Sequence, residues 1–134
     1  HAGTFAGHPL VMAARAAVLR ELKRQAPYAL LDARGAQLAA GLRTAALRAS
    51  VPLQVNRQGS MVTAFFSATP VATFEQVQQT ATSRFSAWAN RLRVEGILLP
   101  PSPFETLFLS TAHTERLIDR AIEATERAWA EARG

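Results

Sequence analysis

The hydrophobic period of this chain changes from helical to alternating near Val51. Upstream, apolar residues recur at steps of three and four in two stretches separated by Pro27. That spacing predicts one helix over residues 9–25 and a second that ends near residue 50. Both predicted helices carry alanine-rich faces, which suit close packing on a neighbour. From Val51 onward apolar and polar residues alternate, which indicates strands, so the chain favours an α+β fold.

The downstream half predicts a hairpin, a helix, two short strands and a last helix. The hairpin pairs residues 53–55 with 61–66 around a turn at Gly59, and Met61, Phe65 and Phe66 are expected in the core. Thr73 and Gln76 form a potential capping box, and Gly96 is expected to end the helix that follows. Strands are predicted at 97–99 and 107–109, before a last helix capped by Thr114. The expected fold is a mainly antiparallel sheet of three to four strands with helices on one face.

The length of the chain favours one domain over residues 1–134, with an opening segment and two helices in 1–50 and the hairpin, helix, strands and terminal helix in 51–134. Apolar residues make up 49% and charged residues 19%, as in ordinary globular proteins. No apolar run approaches the ~20 residues of a membrane span and no signal peptide is visible, so we expect a cytoplasmic protein with no membrane partner. Because the first residue is His1, we expect that the chain was processed, tagged or excised from something longer.

The formal net charge of +5 raises the possibility of a nucleic-acid partner. The arginines, however, occur singly along helical stretches among acidic residues, and no aromatic side chains are interleaved with them. This distribution is typical of solvated helix faces and argues against nucleic-acid binding. The chain has no cysteine, and His1, His8 and His113 lack the spacing of metal ligands, so no metal site is expected.

The segment Gly3-Thr4-Phe5-Ala6-Gly7-His8-Pro9 places a hydroxyl between glycines just before a helix start. Small residues allow close approach, and the N–H groups at a helix start favour anions, so this segment could contact a phosphate. Turns and helix caps are the commoner role of such segments, and the residues alone leave both interpretations open.

The segment Pro101-Ser102-Pro103-Phe104-Glu105-Thr106-Leu107-Phe108-Leu109-Ser110-Thr111-Ala112-His113-Thr114 presents one acid on a stiff loop before a short apolar strand. Prolines fix the backbone of that loop and remove donors. Loops of this kind often carry function, although a surface role is the usual one for a glutamate. For His113, ordering of the helix start is favoured over a role as a general base, because no acidic partner is evident nearby.

These two segments, together with Asn56-Arg57-Gln58-Gly59-Ser60-Met61, resemble the glutamate-1-semialdehyde 2,1-aminomutase family, within the class III (subgroup II) aminotransferases. The resemblance covers essentially the whole chain in order. It implies that Thr4, with Gly3, contacts the phosphate of pyridoxal 5′-phosphate (PLP) in a neighbouring subunit. It also implies that Glu105, with Ser102, lies at the active-site mouth beside cofactor and substrate. The family usually has asparagine where this chain has His8, and histidine is the poorer N-cap.

The resemblance further implies the C-terminal small domain of a fold-type I PLP enzyme. Such an enzyme acts as a homodimer and converts a small-molecule substrate, glutamate 1-semialdehyde, to 5-aminolevulinate in tetrapyrrole (porphyrin) biosynthesis. The large PLP domain is absent from this chain. The chain's single lysine, Lys23, lies in a helical pattern, so no catalytic Schiff-base lysine is expected here and the fragment alone should be inactive. Two alternatives remain: another class III (omega) aminotransferase, or a stand-alone interaction or dimerisation domain.

Overall fold

A computed structural model describes residues 3–131, which form five helices and a three-stranded sheet. The elements follow in the order α1 (Pro9–Gln25), α2 (Tyr28–Ala49), β1 (Gln54–Gln58), β2 (Met61–Phe65), α3 (Phe74–Gln78), α4 (Thr82–Val94), β3 (Leu107–Phe108) and α5 (Glu115–Glu131). No helix in this part of the chain combines the length and the apolar character needed to cross a membrane.

The sheet is antiparallel and has the order β1-β2-β3. Val55 of β1 lies opposite Ala64 of β2, and Val62 of β2 lies opposite Leu107 of β3. Val55, Val62 and Ala64 are buried where α2 packs on the hairpin, because successive side chains of a strand point to opposite faces. The predicted α+β fold with a mainly antiparallel sheet is confirmed, with three strands.

The prediction of a strand at residues 97–99 is wrong. Gly96 adopts φ +77°, and the two N–H groups at this end of α4 turn back onto the helix, Gly96 N to the Arg93 oxygen at 3.0 Å and Ile97 N to the Leu92 oxygen at 2.9 Å. This pairing is the Schellman motif, and it confirms the predicted helix end at Gly96. The apolar residues beyond it pack on the core as an irregular segment, while Leu98 is 80% exposed.

The helix predicted after Thr73 is divided into α3 and α4. Its start is confirmed, because the Thr73 and Gln76 side chains form the reciprocal capping box. The break comes at Ala81, whose N–H donates to the carbonyl oxygen of Phe66 at 3.0 Å. The Thr80 hydroxyl donates to the Val77 oxygen at 2.8 Å and helps to close α3. A tertiary contact with the end of β2 therefore replaces a helical hydrogen bond.

The core lies between α2, α4, α5 and the hairpin. Trp88 and Trp129 are buried as predicted, with ring centroids 5.7 Å apart, and Phe66 meets both rings edge-on. The Trp88 indole N–H donates to the Thr125 hydroxyl at 3.2 Å, which satisfies a polar group inside the core. Phe65 and Phe66 are buried as expected, but the prediction for Met61 is wrong. Met61 is 39% exposed, on the face of β2 opposite that of Val62 and Ala64.

The first two helices differ in packing. The face of α2 predicted from its spacing is buried against α5 and the hairpin. In contrast, α1 buries none of its residues, and Leu10 and Val18 are 72% and 57% exposed. The expectation that α1 packs closely on a neighbour is not met within the described residues.

Candidate functional site

Residues 3–8 form a tight turn that leads directly into α1. The Ala6 N–H donates to the Gly3 oxygen at 2.9 Å, and the His8 N–H donates to the Phe5 oxygen at 3.2 Å. Gly7 has φ +82°, a conformation that favours glycine. Thr4 is exposed at the outer side of this turn, and its hydroxyl has no hydrogen-bond partner among residues 3–131.

The start of α1 has no side-chain cap. The N-cap is His8, whose side chain accepts no hydrogen bond from the helix, and a weaker helix start remains the expectation for a histidine at this position. Pro9 occupies the first helical position, where a missing N–H costs little. The first turn also contains no acidic residue. Backbone N–H groups at this helix start are thus open to an anion, and no nearby carboxylate in the turn opposes one.

The proline-rich loop presents Glu105 to solvent. Two hydrogen bonds to Ser102 shape the loop: the Phe104 N–H donates to the Ser102 hydroxyl oxygen at 3.2 Å, and the Glu105 N–H donates to the Ser102 carbonyl oxygen at 3.2 Å. The Glu105 carboxylate accepts no hydrogen bond from any residue in the described part of the chain. Ser102 therefore fixes the loop, and Glu105 is left free to meet another molecule.

The end of this loop is anchored on the sheet. The hydroxyls of Thr106 and Thr63 lie 3.1 Å apart, and the Leu109 N–H donates to the Ser60 oxygen at 3.1 Å. Since β3 follows directly, the position of Glu105 depends on the hairpin. The sequence did not reveal this dependence, because the residues concerned lie more than forty positions apart.

His113 orders the start of α5, as the sequence indicates. Its Nδ1 accepts a hydrogen bond from the Ser110 N–H at 2.9 Å and lies 3.0 Å from the Ser110 hydroxyl. Thr114 caps the helix, since the Leu117 N–H donates to its hydroxyl at 3.3 Å. Arg34 of α2 donates to the Thr111 oxygen at 3.0 Å. Sequence reasoning missed the arginine, because nothing in its spacing marks it out.

The predicted site residues fall in two segments of the chain, the turn at residues 3–8 and the proline-rich loop. No hydrogen bond or ion pair between residues 3 and 131 joins the Thr4 turn to the Glu105 loop. Lys23 is exposed in the last turn of α1. No group of three or more His, Asp or Glu side chains able to hold a metal is found in the described part.

Comparison with solved structures shows a shared fold. An omega-transaminase from Sphaerobacter thermophilus matches with a TM-score of 0.80 and 28% identity, covering 100% of this chain and 30% of that one. A Sphingopyxis protein described as a PLP internal aldimine form matches with a TM-score of 0.63 and 29% identity, covering 83% of this chain and 24% of that one. A Pseudomonas aeruginosa glutamate-1-semialdehyde aminomutase with PMP has a TM-score of 0.69 over 78% of this chain and 23% of that one. At 21% identity it supports the fold alone. The fold is thus that of a part of PLP-dependent aminotransferases.

Comparison with curated proteins identifies one family within the aminotransferases. The chain is 47% identical over 131 residues to glutamate-1-semialdehyde 2,1-aminomutase of an Anaeromyxobacter species, a match that covers 98% of this chain and 30% of the relative. It is 44% identical, with the same coverage, to glutamate-1-semialdehyde 2,1-aminomutase 2 of Brevibacillus brevis. No family model matches the chain. The chain belongs to the glutamate-1-semialdehyde 2,1-aminomutase family, within the class III aminotransferases, and corresponds to the C-terminal part of these relatives. It spans about 30% of their length.

Proposed function

We propose that this chain is the C-terminal small domain of a PLP-dependent glutamate-1-semialdehyde 2,1-aminomutase that works as a homodimer. The full enzyme would move an amino group within glutamate 1-semialdehyde to give 5-aminolevulinate for tetrapyrrole biosynthesis. The observation that carries the proposal is the match to relatives of that name along nearly the whole chain. The proposal also gives a chemical role to the two most distinctive segments of the chain, the turn at residues 3–8 and the Glu105 loop.

We assign Gly3 and Thr4 to the PLP phosphate of the neighbouring subunit. Three observations support a fit: the Thr4 hydroxyl is exposed without a partner, the start of α1 has no side-chain cap, and its first turn contains no acid. A phosphate placed there would accept hydrogen bonds from the hydroxyl and from the backbone, and it would meet the positive end of the helix dipole. Gly7 shapes the turn because its φ of +82° disfavours other residues.

We assign Glu105 to the active-site mouth, where it would face cofactor and substrate. Its carboxylate is exposed on a loop held by Ser102 and anchored on the sheet. An acid held on a stiff backbone can orient an amino group with little loss of conformational freedom. Ser102 contributes by fixing the loop that carries Glu105.

The cofactor, when bound, supplies the electron sink for amino transfer, and the protein supplies orientation and charge. The residues of this chain bind the phosphate and border the mouth. Lys23 is not proposed to attach the cofactor, because it is exposed at the far end of α1 from Thr4.

The phosphate role is tested by Thr4→Val in a full-length protein that carries this sequence. Losing a hydrogen bond to a charged group costs about 1.5–3 kcal/mol, so PLP should be retained roughly 10- to 100-fold less tightly. PLP retention is measured by absorbance after dialysis against a phosphate-free buffer. Thr44→Val, an exposed position on α2, is the matched control and should behave as the parent. Equal PLP retention by the Thr4 and Thr44 variants would remove Thr4 from the phosphate site.

The reaction is tested separately with the same full-length protein. Glutamate 1-semialdehyde should yield 5-aminolevulinate without any added amino acceptor, because the amino group stays within one molecule. The likeness to an omega-transaminase keeps another class III aminotransferase as the second candidate. That candidate requires an external keto acid, so turnover only when pyruvate is added would favour it over the aminomutase.

A further inference from the structure

A cleft of about 610 Å³ lies where the end of α2 meets α4 and α5. Its size is within the usual range for small-molecule sites. The residues that line it are Ala49, Ser50, Val51, Phe66, Arg84, Ala87, Trp88, Arg91, Ala128 and Trp129. None of them belongs to the turn at residues 3–8 or to the Glu105 loop, so the cleft goes beyond the proposed function.

The floor of the cleft is aromatic. Trp88 and Trp129 lie 5.7 Å apart, and Phe66 packs edge-on against both rings. The two indoles differ in hydrogen bonding. Trp88 donates to Thr125, whereas Nε1 of Trp129 is buried and has no partner within the described residues. An unpaired buried donor is uncommon in folded proteins, and an acceptor that reached it would remove its cost.

Both charged residues of the cleft are arginines of α4. Arg84 and Arg91 are seven positions apart, so two helical turns place them on the same face beside Trp88. No acidic residue is among those that line the cleft. Arg84 has no ion pair within residues 3–130, while the charge of Arg91 also acts on Glu95. The cleft thus combines an apolar floor with positive charge on one side.

We propose that this cleft binds a small amphipathic carboxylate, an apolar ring or chain that ends in one carboxylate group. The apolar part would pack on Trp88, Trp129 and Phe66. The carboxylate would meet Arg84 and Arg91, whose planar guanidinium groups match carboxylate geometry.

The test uses the 134-residue chain and the indole N–H signals of its NMR spectrum. Trp88 and Trp129 are its two tryptophans and both line the cleft, so the two signals report binding directly. Trp129→Phe assigns them. The probes are 4-phenylbutyrate and the neutral 4-phenylbutan-1-ol, which share the ring and chain. We expect 4-phenylbutyrate to shift both signals. It should bind at least about tenfold more tightly than the alcohol, since each of the two exposed ion pairs, with Arg84 and with Arg91, contributes about threefold to fivefold.

Arginine variants separate charge from packing. Arg84→Gln and Arg91→Gln should each weaken 4-phenylbutyrate binding about threefold to fivefold and leave alcohol binding unchanged. Arg93→Gln, at an exposed position of the same helix but outside the cleft, should change neither. Equal affinity for both probes, no indole shift at millimolar concentration, or equal losses in all three variants would each overturn the proposal. Loss of binding in a full-length protein would overturn it too, since the cleft would then be filled by the protein's own chain.

Discussion

Replacing Gly35 with alanine should destabilise the fold by forcing α2 away from the hairpin. Gly35 is buried in α2, and a Cβ atom added there would lie 2.2 Å from the carbonyl oxygen of Gly59 and 3.1 Å from its carbonyl carbon. Gly59 forms the turn between β1 and β2 at φ +58°. Its oxygen also accepts a hydrogen bond from Arg57 at 2.9 Å, and the same arginine pairs with Asp32 of α2 at 2.7 Å. The helix and the turn are thus in backbone contact.

The magnitude follows from two opposing effects. Overpacking costs about 1–3 kcal/mol, and the upper part of that range, about 2–3 kcal/mol, applies here because a backbone oxygen cannot rotate away as a side chain can. Alanine is the better helix former by about 1 kcal/mol, which offsets part of that cost. We therefore expect Gly35→Ala to lower the free energy of unfolding by about 1–2 kcal/mol. The displaced turn should also disturb the Glu105 loop, because Leu109 is hydrogen-bonded to the neighbouring Ser60.

Urea unfolding followed by circular dichroism at 222 nm measures the effect, and Gly41 supplies the control. The three atoms nearest to a Cβ at Gly41 all belong to the Ile122 side chain, and Cδ1 would lie 2.2 Å away. In an Ile122→Ala background that obstacle is gone, so Gly41→Ala should be neutral or stabilising by up to about 1 kcal/mol. A Gly35→Ala protein as stable as the parent would refute the argument that backbone contact requires glycine there.

The remaining predictions concern acid stability, the lysine and the first helix. Hydrogen bonds from Arg127 lower the pKa of Glu95 below its ordinary 4.5. The stabilisation of the folded state by this pair is therefore complete above pH 4.5 and is lost as the pH falls further. Glu95→Gln should therefore lose less stability than the parent between neutral and acid pH, measured by urea midpoints, and parallel losses would contradict this. Borohydride reduction of the isolated chain with PLP should give no adduct specific to Lys23 by mass spectrometry, and a stoichiometric adduct would be the contrary result. Amides of α1 should exchange with deuterium faster than those of α2, because α1 buries none of its residues; equal protection would show that α1 is held in place.

Local signals in the sequence were sufficient for most elements of the fold. The capping box at Thr73 and the Schellman end at Gly96 depend on residues within a few positions, so pattern reasoning located both. The break before α4 depends instead on the Ala81 N–H reaching the end of β2. The apolar run at 97–99 has the composition of a strand but pairs with neither edge strand of the sheet, β1 or β3. Such choices are made by tertiary pairing, which a local pattern does not encode.

The candidate site likewise combines local features, which the sequence predicts, with long-range contacts, which it does not. The loop held by Ser102 is a local feature, and its prolines predict stiffness directly. Its anchoring through Thr63 and Ser60, and the support of the following turn by Arg34, join distant parts of the chain. The resemblance to a family was needed to give Thr4 and Glu105 roles, because the residues alone were also consistent with a turn and a surface acid.

The exposure of α1 bears directly on the proposed phosphate contact. A 17-residue helix without buried side chains is only marginally stable in water, and this one also lacks a side-chain cap. The Thr4 turn is continuous with that helix start, so the N–H groups proposed to meet phosphate are ordered only while the first turn of α1 is formed. Contacts on the exposed Leu10 and Val18 would therefore strengthen phosphate binding without touching the phosphate. A phosphate at the N-terminus would in turn stabilise α1 through its dipole. The proposed phosphate contact therefore predicts that ordering of α1 and cofactor binding are coupled, and that the isolated chain binds PLP weakly even though Thr4 is present.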